Sequence, residues 1–297
     1  MIDFLAAAIR IATPLLFAAL GGILSERAGV FAVGLEGMML MGAFAAVIGA
    51  WGLSSDVAGL ALALLGGGAM GLIVAIITVR YRADNMVTGL TANILALGLT
   101  TYLLHILAGQ SAIQVNPLVP WSIPFLSQIP VAGRLLFSHP PLTYLAVIGC
   151  AALSFLLYRT QTGLLLRGTG ENPEAVFVAG ANPRLLRMTA VVCGGAIAGL
   201  GGAVLSLQQV GTFTDGMTGG RGYLALAAII VGRWNPWGAA LACLVFGASE
   251  ALELRLQSFG IPLSSYIVQM LPYLIALAVL AGLGRSTKLP AAIGKPL

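Results

Sequence analysis

Charge is the scarcest property of this sequence. Only 8% of its 297 residues are Asp, Glu, Lys or Arg, against 59% hydrophobic ones, whereas soluble domains carry roughly 25% charged residues. Water is therefore excluded as the solvent for most of the surface, and lipid takes its place. Alternation of apolar and polar positions over segments of about ten residues is also missing, which excludes a membrane β-barrel. The first residues lack a basic start and a small-residue cleavage site, so 1–24 reads as a retained span rather than a secretory signal. Cysteine is rare: Cys150, Cys193 and Cys243 lie inside apolar segments at spacings that make neither a disulfide framework nor a metal site, and they read as packing residues. The net charge of +5 forms no basic stripe, so no nucleic-acid partner is expected. No cofactor or metal is expected either.

What is present is long apolar sequence. Stretches 57–79, 86–104, 188–214 and 256–284 contain none of the four charged types and reach or exceed the roughly 20 residues that cross a hydrocarbon core. In lipid such segments form helices, which satisfy their own backbone hydrogen bonds. The pattern predicts an all-α polytopic bundle of about 8–10 spans, forming a single transmembrane domain over 1–297. Nine hydrophobic segments are read: 4–24, 29–50, 57–79, 86–109, 142–158, 187–210, 222–232, 237–254 and 265–284. The seventh is about 11 residues, roughly 16 Å against a core of about 30 Å, and must be a half-span or part of a broken helix.

Loop charge sets the orientation, because Lys and Arg accumulate on the cytoplasmic side. With the C-terminus inside, Arg27, Arg80, Arg82, Arg159, Arg167, Arg184, Arg187, Arg233, Arg285, Lys288 and Lys295 are cytoplasmic, and Arg10, Arg134, Arg221 and Arg255 lie outside. The long external connection 110–141, proline-rich and carrying Trp121, reads either as an irregular cap at the membrane surface or as a plain connector. Arg27 and Arg221 each lead into a glycine-punctuated segment of opposite orientation, the trace an inverted repeat would leave. Gly67 with Gly71 and Gly195 with Gly199 form G-x-x-x-G pairs suited to close helix packing within one bundle.

The segment 168–184 is the most strongly punctuated. Asn172 is a good N-cap, Pro173 suits the first helical position, Glu174 favours the positive end of the helix dipole, and Gly180 offers a left-handed stop. A two-turn helix over 173–179 follows, and Asn182-Pro183 starts the next helix. So short a helix is not stable alone in water, and Ala175, Val176 and Phe177 need a partner surface. That surface is either an ATPase that pushes on the helix or this protein's own spans. The phosphate loop G-x-x-x-x-G-K-[ST] is absent, so the chain is not itself the ATPase, and energy comes from another subunit or an ion gradient.

Two runs carry a resemblance. Gly22 to Val30, which includes Ser25-Glu26-Arg27, and Gly34-Leu35-Glu36-Gly37 with the residues to Phe44 resemble the opening motif of permease subunits of bacterial nucleoside ABC importers, within the wider family that serves ribose and branched-chain amino acids. Gly170-Glu171-Asn172-Pro173 resembles that family's coupling-helix region. Met217 to Ala228 and Gly232 to Gly238 resemble its third signature. The resemblance covers about 21–247 and implies a multi-pass inner-membrane permease, paired with a second permease subunit, an ABC ATPase and a substrate-binding lipoprotein or periplasmic protein. It implies ATPase coupling through Gly170, Glu171, Asn172, Pro173, Glu174, Ala175, Val176 and Phe177. Nucleosides are the expected cargo, with a simple sugar such as ribose as the alternative.

Glu36 is placed deep in the second segment, where an unpaired carboxylate costs roughly 2.5–3.5 kcal/mol. It either accepts from ribose hydroxyls or locks a helix break between Gly34 and Gly37, or pairs with Arg27. Asn93 could meet a base edge through one donor and one acceptor, or bond between helices. Phe31, Phe44, Phe213 and Tyr223 could stack on a base, or simply pack. An ion-driven carrier would place several acids or histidines along its spans; here only Glu36 is deep, while His105, Glu250 and Glu253 fall toward helix ends. An intramembrane enzyme is disfavoured by the absence of H-E-x-x-H and G-x-S-x-G.

Overall fold

The computed structural model describes residues 2–109, 113–118, 121–122, 138–258, 270, 274, 277–278, 281–282 and 289–295. Among them ten helices form: α1 (Ile2–Arg27), α2 (Leu35–Leu53), α3 (Asp56–Ala75), α4 (Asn85–Ala108), α5 (Pro141–Arg159), α6 (Gln161–Glu171), α7 (Pro173–Val178), α8 (Pro183–Ala203), α9 (Arg221–Val231) and α10 (Pro236–Ser258). Wider π turns over Ile76–Arg80 and Val204–Val210 lengthen α3 and α8. Six helices are long and apolar enough to cross a membrane, and α9 is a shorter apolar helix, as the half-span reading anticipated. Most of segment 265–284, Arg134, Arg285 and Lys288 lie outside the described residues, as does most of the 110–141 connection.

Local chemistry sets the helix ends. The Asp84 carboxylate caps α4 by accepting from the Met86 and Val87 amides, both at 2.9 Å. Pro141 and Pro183 occupy first-turn positions of α5 and α8, where the missing N–H costs nothing. Ser54, at φ 47°, ends α2 in a left-handed residue. One departure from expectation is the start of α2: residues 28–34 are not helical, so the helix begins at Leu35 and not near 29. Another is α6, an amphipathic helix that carries no long apolar run and so left no segment to read.

In the bundle α1, α2 and α8 are central, since 67–72% of their spans is buried inside the protein, against 22% for α4. Lipid offers no hydrophobic drive for helices to associate, so close van der Waals packing must supply it. The two glycine pairs provide that packing by meeting each other. A Cβ on Gly195 would fall 2.5 Å from the Gly67 carbonyl oxygen, and one on Gly67 would fall 2.3 Å from that of Gly195. The backbones of α3 and α8 thus touch directly. Cys150 and Cys243 are buried as packing residues, whereas Cys193 is exposed because it faces away from this crossing.

The described part of the 110–141 connection is ordered by backbone bonds. Val115 donates to the Gly211 carbonyl and Leu118 to that of Leu207, each at 2.9 Å, and Trp121–Ser122 pairs antiparallel with Ser138–His139. This stretch closes over the C-terminal end of α8 and its π turn.

If the glycine crossing sustains the bundle, Gly195→Val should lower stability by about 1–3 kcal/mol through overpacking. Gly98→Val, at a site with nothing within 4 Å, should not. Thermal unfolding of the two purified variants in detergent, compared with wild type, reads the difference.

Candidate transport site and coupling surface

The non-helical stretch 28–34 and the short α9 bring two helix N-termini together inside the bundle. The Glu36 carboxylate, in the first turn of α2, accepts from the Gly220 amide at 2.8 Å and the Gly222 amide at 2.7 Å. Its partners are therefore the free amides at the start of α9, not those of its own helix break, and not Arg27. Contact this close needs glycine: a Cβ on Gly222 would lie 2.5 Å from the Glu36 nitrogen. The C-terminal end of α9 abuts Arg27, and eleven residues rise roughly 16 Å, so the Glu36 junction sits near the middle of a core about 30 Å thick.

Asn93 completes the junction from α4. Its Oδ1 accepts from the Gly37 amide at 2.8 Å, and its Nδ2 donates to the Val33 carbonyl at 3.0 Å and to the Tyr223 hydroxyl at 2.8 Å. Three of the predicted pathway residues, Glu36, Asn93 and Tyr223, thus come together in one network. Asn93 spends most of its capacity on backbone, as helix-to-helix bonding would require. Tyr223 is 43% exposed, and its hydroxyl, having accepted from Asn93, keeps its own proton to donate. Phe31 is half-buried. Phe44 and Phe213 are buried against each other, edge to face, with centroids 5.3 Å apart.

Beside the junction, Arg221 pairs with Glu250 of α10. A cation on the first residue of α9 opposes the positive end of the helix dipole, and the two carboxylates of Glu36 and Glu250 offset it. Glu250 is therefore a partner inside the bundle and not a helix-end residue.

At the end of the bundle that holds the C-terminus of α1, the Ser25-Glu26-Arg27 run closes a second contact. Glu26, fully buried, accepts from the Ala32 amide at 3.2 Å and from the Trp234 indole nitrogen at 2.5 Å. Arg27 donates to the Trp234 carbonyl at 3.1 Å, to the Arg233 carbonyl at 3.5 Å and to the Tyr158 hydroxyl at 3.3 Å. Arg233 and Trp234 both have positive φ, 54° and 55°, a conformation that costs non-glycine residues about 1–3 kcal/mol each and persists only where surroundings enforce it. An acid and a base at the end of a span were legible only as flanking charge, because their partner lies more than 200 residues away.

The segment 168–184 folds close to the expected pattern of caps and stops. The Asn172 side chain accepts from the Ala175 amide at 3.2 Å, and that of Asn182 from the Arg184 and Leu185 amides at 3.1 and 3.3 Å. Gly180 takes φ +86°, and α7 ends at Val178 with Ala179 as its cap. Of the three residues expected to seek a partner, Val176 is buried: a Cβ on Gly168 would come within 2.9 Å of its side chain, so it anchors α7 to α6. Ala175 is exposed, Phe177 is 71% exposed, and Val178, which the reading did not include, is 86% exposed. Phe177 and Val178 line a depression with Pro173, Glu174, Asn182, Pro183 and Arg184. Glu171 accepts from the Ala291 amide at 3.3 Å.

A helical membrane bundle with interrupted helices, a polar junction in its interior and a capped helix presenting apolar side chains at one end has the makings of a transport subunit driven by something outside itself. Over residues 4–285 the chain matches the family described as branched-chain amino acid transport system / permease component, and it belongs to that family. It is 37% identical to the nucleoside ABC transporter permease protein NupC of Lactococcus lactis subsp. cremoris, over 91% of this chain and 88% of that protein. It is 34% identical to the guanosine ABC transporter permease protein NupQ of Bacillus subtilis, over 96% and 93%. With the glucose ABC transporter permease protein TsgB13 of Haloferax volcanii the identity is 27%, over 90% and 73%. No solved structure matches the chain. The protein is thus a multi-pass ABC importer permease, a transport subunit without an ATPase domain, and such a permease implies ATPase and binding-protein partners.

The junction makes a direct prediction. Glu36→Ala leaves two α9 amides unpaired away from water, at about 1–3 kcal/mol each, and should lower the unfolding temperature in detergent. Glu36→Gln, which keeps one acceptor oxygen, should fall between. An unchanged transition in Glu36→Ala would remove the capping role.

Proposed function

We propose that this permease translocates nucleosides across the inner membrane, with ATP hydrolysis delivered to α7 by a separate ATPase subunit. The observation that carries the coupling half is the exposure of Phe177 and Val178 on a helix capped at its start by Asn172, closed at its end by the backbone turn through Ala179 to Ala181, and anchored from beneath by Val176. Two apolar side chains held out on a rigid turn are an anchor for a groove in another protein. Gly170, Glu171, Asn172, Pro173, Glu174 and Ala175 form the rest of that segment, within one transmembrane domain spanning 1–297.

The substrate half is supported by two relatives, NupC and NupQ, named for nucleosides and guanosine, which share 37% and 34% identity with this chain, against 31% and 27% for TsgC13 and TsgB13, named for glucose. The junction chemistry is compatible with it. Each Glu36 oxygen accepts one amide and retains a lone pair for a ribose hydroxyl. The Tyr223 hydroxyl has a proton to give, and the rings of Tyr223 and Phe31 offer faces to a base. Glu36, Asn93, Tyr223 and Phe31 are the proposed pathway residues, with Phe44 and Phe213 packed along the same wall. A second permease subunit would complete the path, and the opposed N-termini of α2 and α9 fit the two halves of an inverted repeat. A simple sugar is the second reading, favoured by the glucose-named relatives.

Two measurements test this. Cells carrying the intact transporter should accumulate labelled guanosine or adenosine, with unlabelled nucleosides competing and ribose or glucose not competing; the reverse pattern would transfer the assignment to sugars. Phe177→Asp should abolish uptake while leaving the amount of protein in the membrane unchanged, and normal uptake would reject α7 as the docking helix.

A further inference from the structure

Residues 289–295 lie against the cytoplasmic end of the bundle and are tied to three separate parts of it. The Ala292 amide donates to the Gly170 carbonyl at 2.9 Å and the Gly294 amide to that of Gly29 at 3.1 Å, while the Ala291 amide donates to Glu171. Arg187, near the start of α8 and only 3% exposed, sits at the centre. Its Nε donates to the Ala28 carbonyl at 3.1 Å, its Nη1 to that of Lys295 at 2.7 Å and its Nη2 to that of Ala292 at 3.2 Å. Gly29, at φ +95°, packs on the guanidinium, where a Cβ would fall 2.7 Å from Nη2.

A buried cation bonded to three backbone carbonyls on two chain segments is expensive to desolvate. Its rigid fork of donors suits it to hold several strands of backbone in one geometry. The segments it holds follow one another mechanically. Helix α7 continues directly from Glu171 at the end of α6, where 291–292 are bonded. Arg187 joins 292–295 to Ala28, and Ala28 and Gly29 begin the turn that leads to Leu35 and Glu36. A hydrogen-bonded path therefore runs from the docking helix to the junction in the middle of the membrane.

We propose that residues 289–295, clamped by Arg187, are a strap that transmits displacement of α7 to the turn between α1 and α2, with Arg187 as its positioning residue. This rests on α7 being the ATPase-docking helix. Contiguity alone does not establish energetic coupling, so the test must read coupling and not folding. The whole transporter is purified through a tag on this chain and reconstituted, and guanosine uptake and ATP hydrolysis are measured together. Four forms are compared: wild type, a chain ending at Lys288, Arg187→Lys, and Ala292→Pro, which removes the N–H donated to Gly170 and constrains the turn through Ala291.

The strap predicts that the ATPase still co-purifies and hydrolyses ATP, while uptake per ATP falls about tenfold in the truncated chain, within the range typical of coupling between linked sites. Smaller losses are expected for the two point variants. Unchanged uptake per ATP in all three variants would overturn the strap. Loss of the ATPase from the purified complex would also overturn it, in favour of a role in assembly. If the truncated or Arg187→Lys chain fails to reach the membrane, Ala292→Pro decides by the same ratio. Absence of ATP-driven uptake in the wild-type complex would instead overturn the docking reading itself.

Discussion

The constraint on which this structure turns is that a backbone amide inside a membrane must find an acceptor within the protein. A helix that starts halfway across the bilayer violates it several times over, because its first amides have no partner in their own helix. Two helices here, α2 and α9, start in the interior. The Glu36 carboxylate takes two amides of α9, and the Asn93 side-chain oxygen takes one of α2. One acid and one amide side chain thus make two interrupted helices possible. They also satisfy the dipoles, since a negative charge sits where two positive helix ends converge.

Once the junction exists, the glycines around it follow. A carboxylate on one helix reaches the amides of another only if the two backbones nearly touch, so Gly222 faces the nitrogen of Glu36, and Gly37 lies against Ala92 and Asn93. The same economy governs the α3–α8 crossing. In a chain with so few charges, close backbone approach substitutes for ion pairing as the means of holding helices in register. The Arg221–Glu250 pair, the ion pair seen among the described residues, occurs where a cation on a helix N-terminus has to be neutralised.

What could be read from the sequence was what depends on neighbours in the chain. The caps Asn172, Asn182 and Gly180 and the extents of α3 with its π turn, α4, α5 and α9 are local signals that the structure places within a residue or two, whereas ends of α1, α2, α8 and α10 differ from the expected segments by three to six residues. The glycine pairs were legible as packing surfaces, though not as each other's partners. The late start of α2 was missed because 28–34 is as apolar as a helix would be, and its non-helical backbone is held by Glu26 and Asn93, which lie outside it. Helix α6 was missed for lack of an apolar run. The burial of Val176 depends on Gly168, on a different helix. Arg187 carried no sign of its role, since a basic residue at a cytoplasmic helix end is the commonest thing in a membrane protein and its acceptors are all main-chain carbonyls, which have no sequence signature.

These contacts also bear on how a permease can be stiff where it is pushed and permissive where it conducts. Glu26, Arg27 and Trp234 fix the cytoplasmic ends of α1 and α9 to each other, with two left-handed residues held in place by the bonds they make. Arg187 fixes the same turn to the base of the docking segment. On the proposed coupling, motion delivered at α7 would reach α2 and α9 with few soft joints on the way. At the junction the polar groups are almost all committed to backbone, and what remains for a passing solute on the proposed path is a hydroxyl proton on Tyr223 and spare lone pairs on Glu36. So small a surplus makes for weak binding, and weak binding is what a conduit needs when a separate protein supplies the affinity. Any displacement of α2 against α9 would break the Glu36 bonds and expose unpaired amides. The low-energy movement is accordingly one in which α2, α9 and the Asn93 turn of α4 travel together.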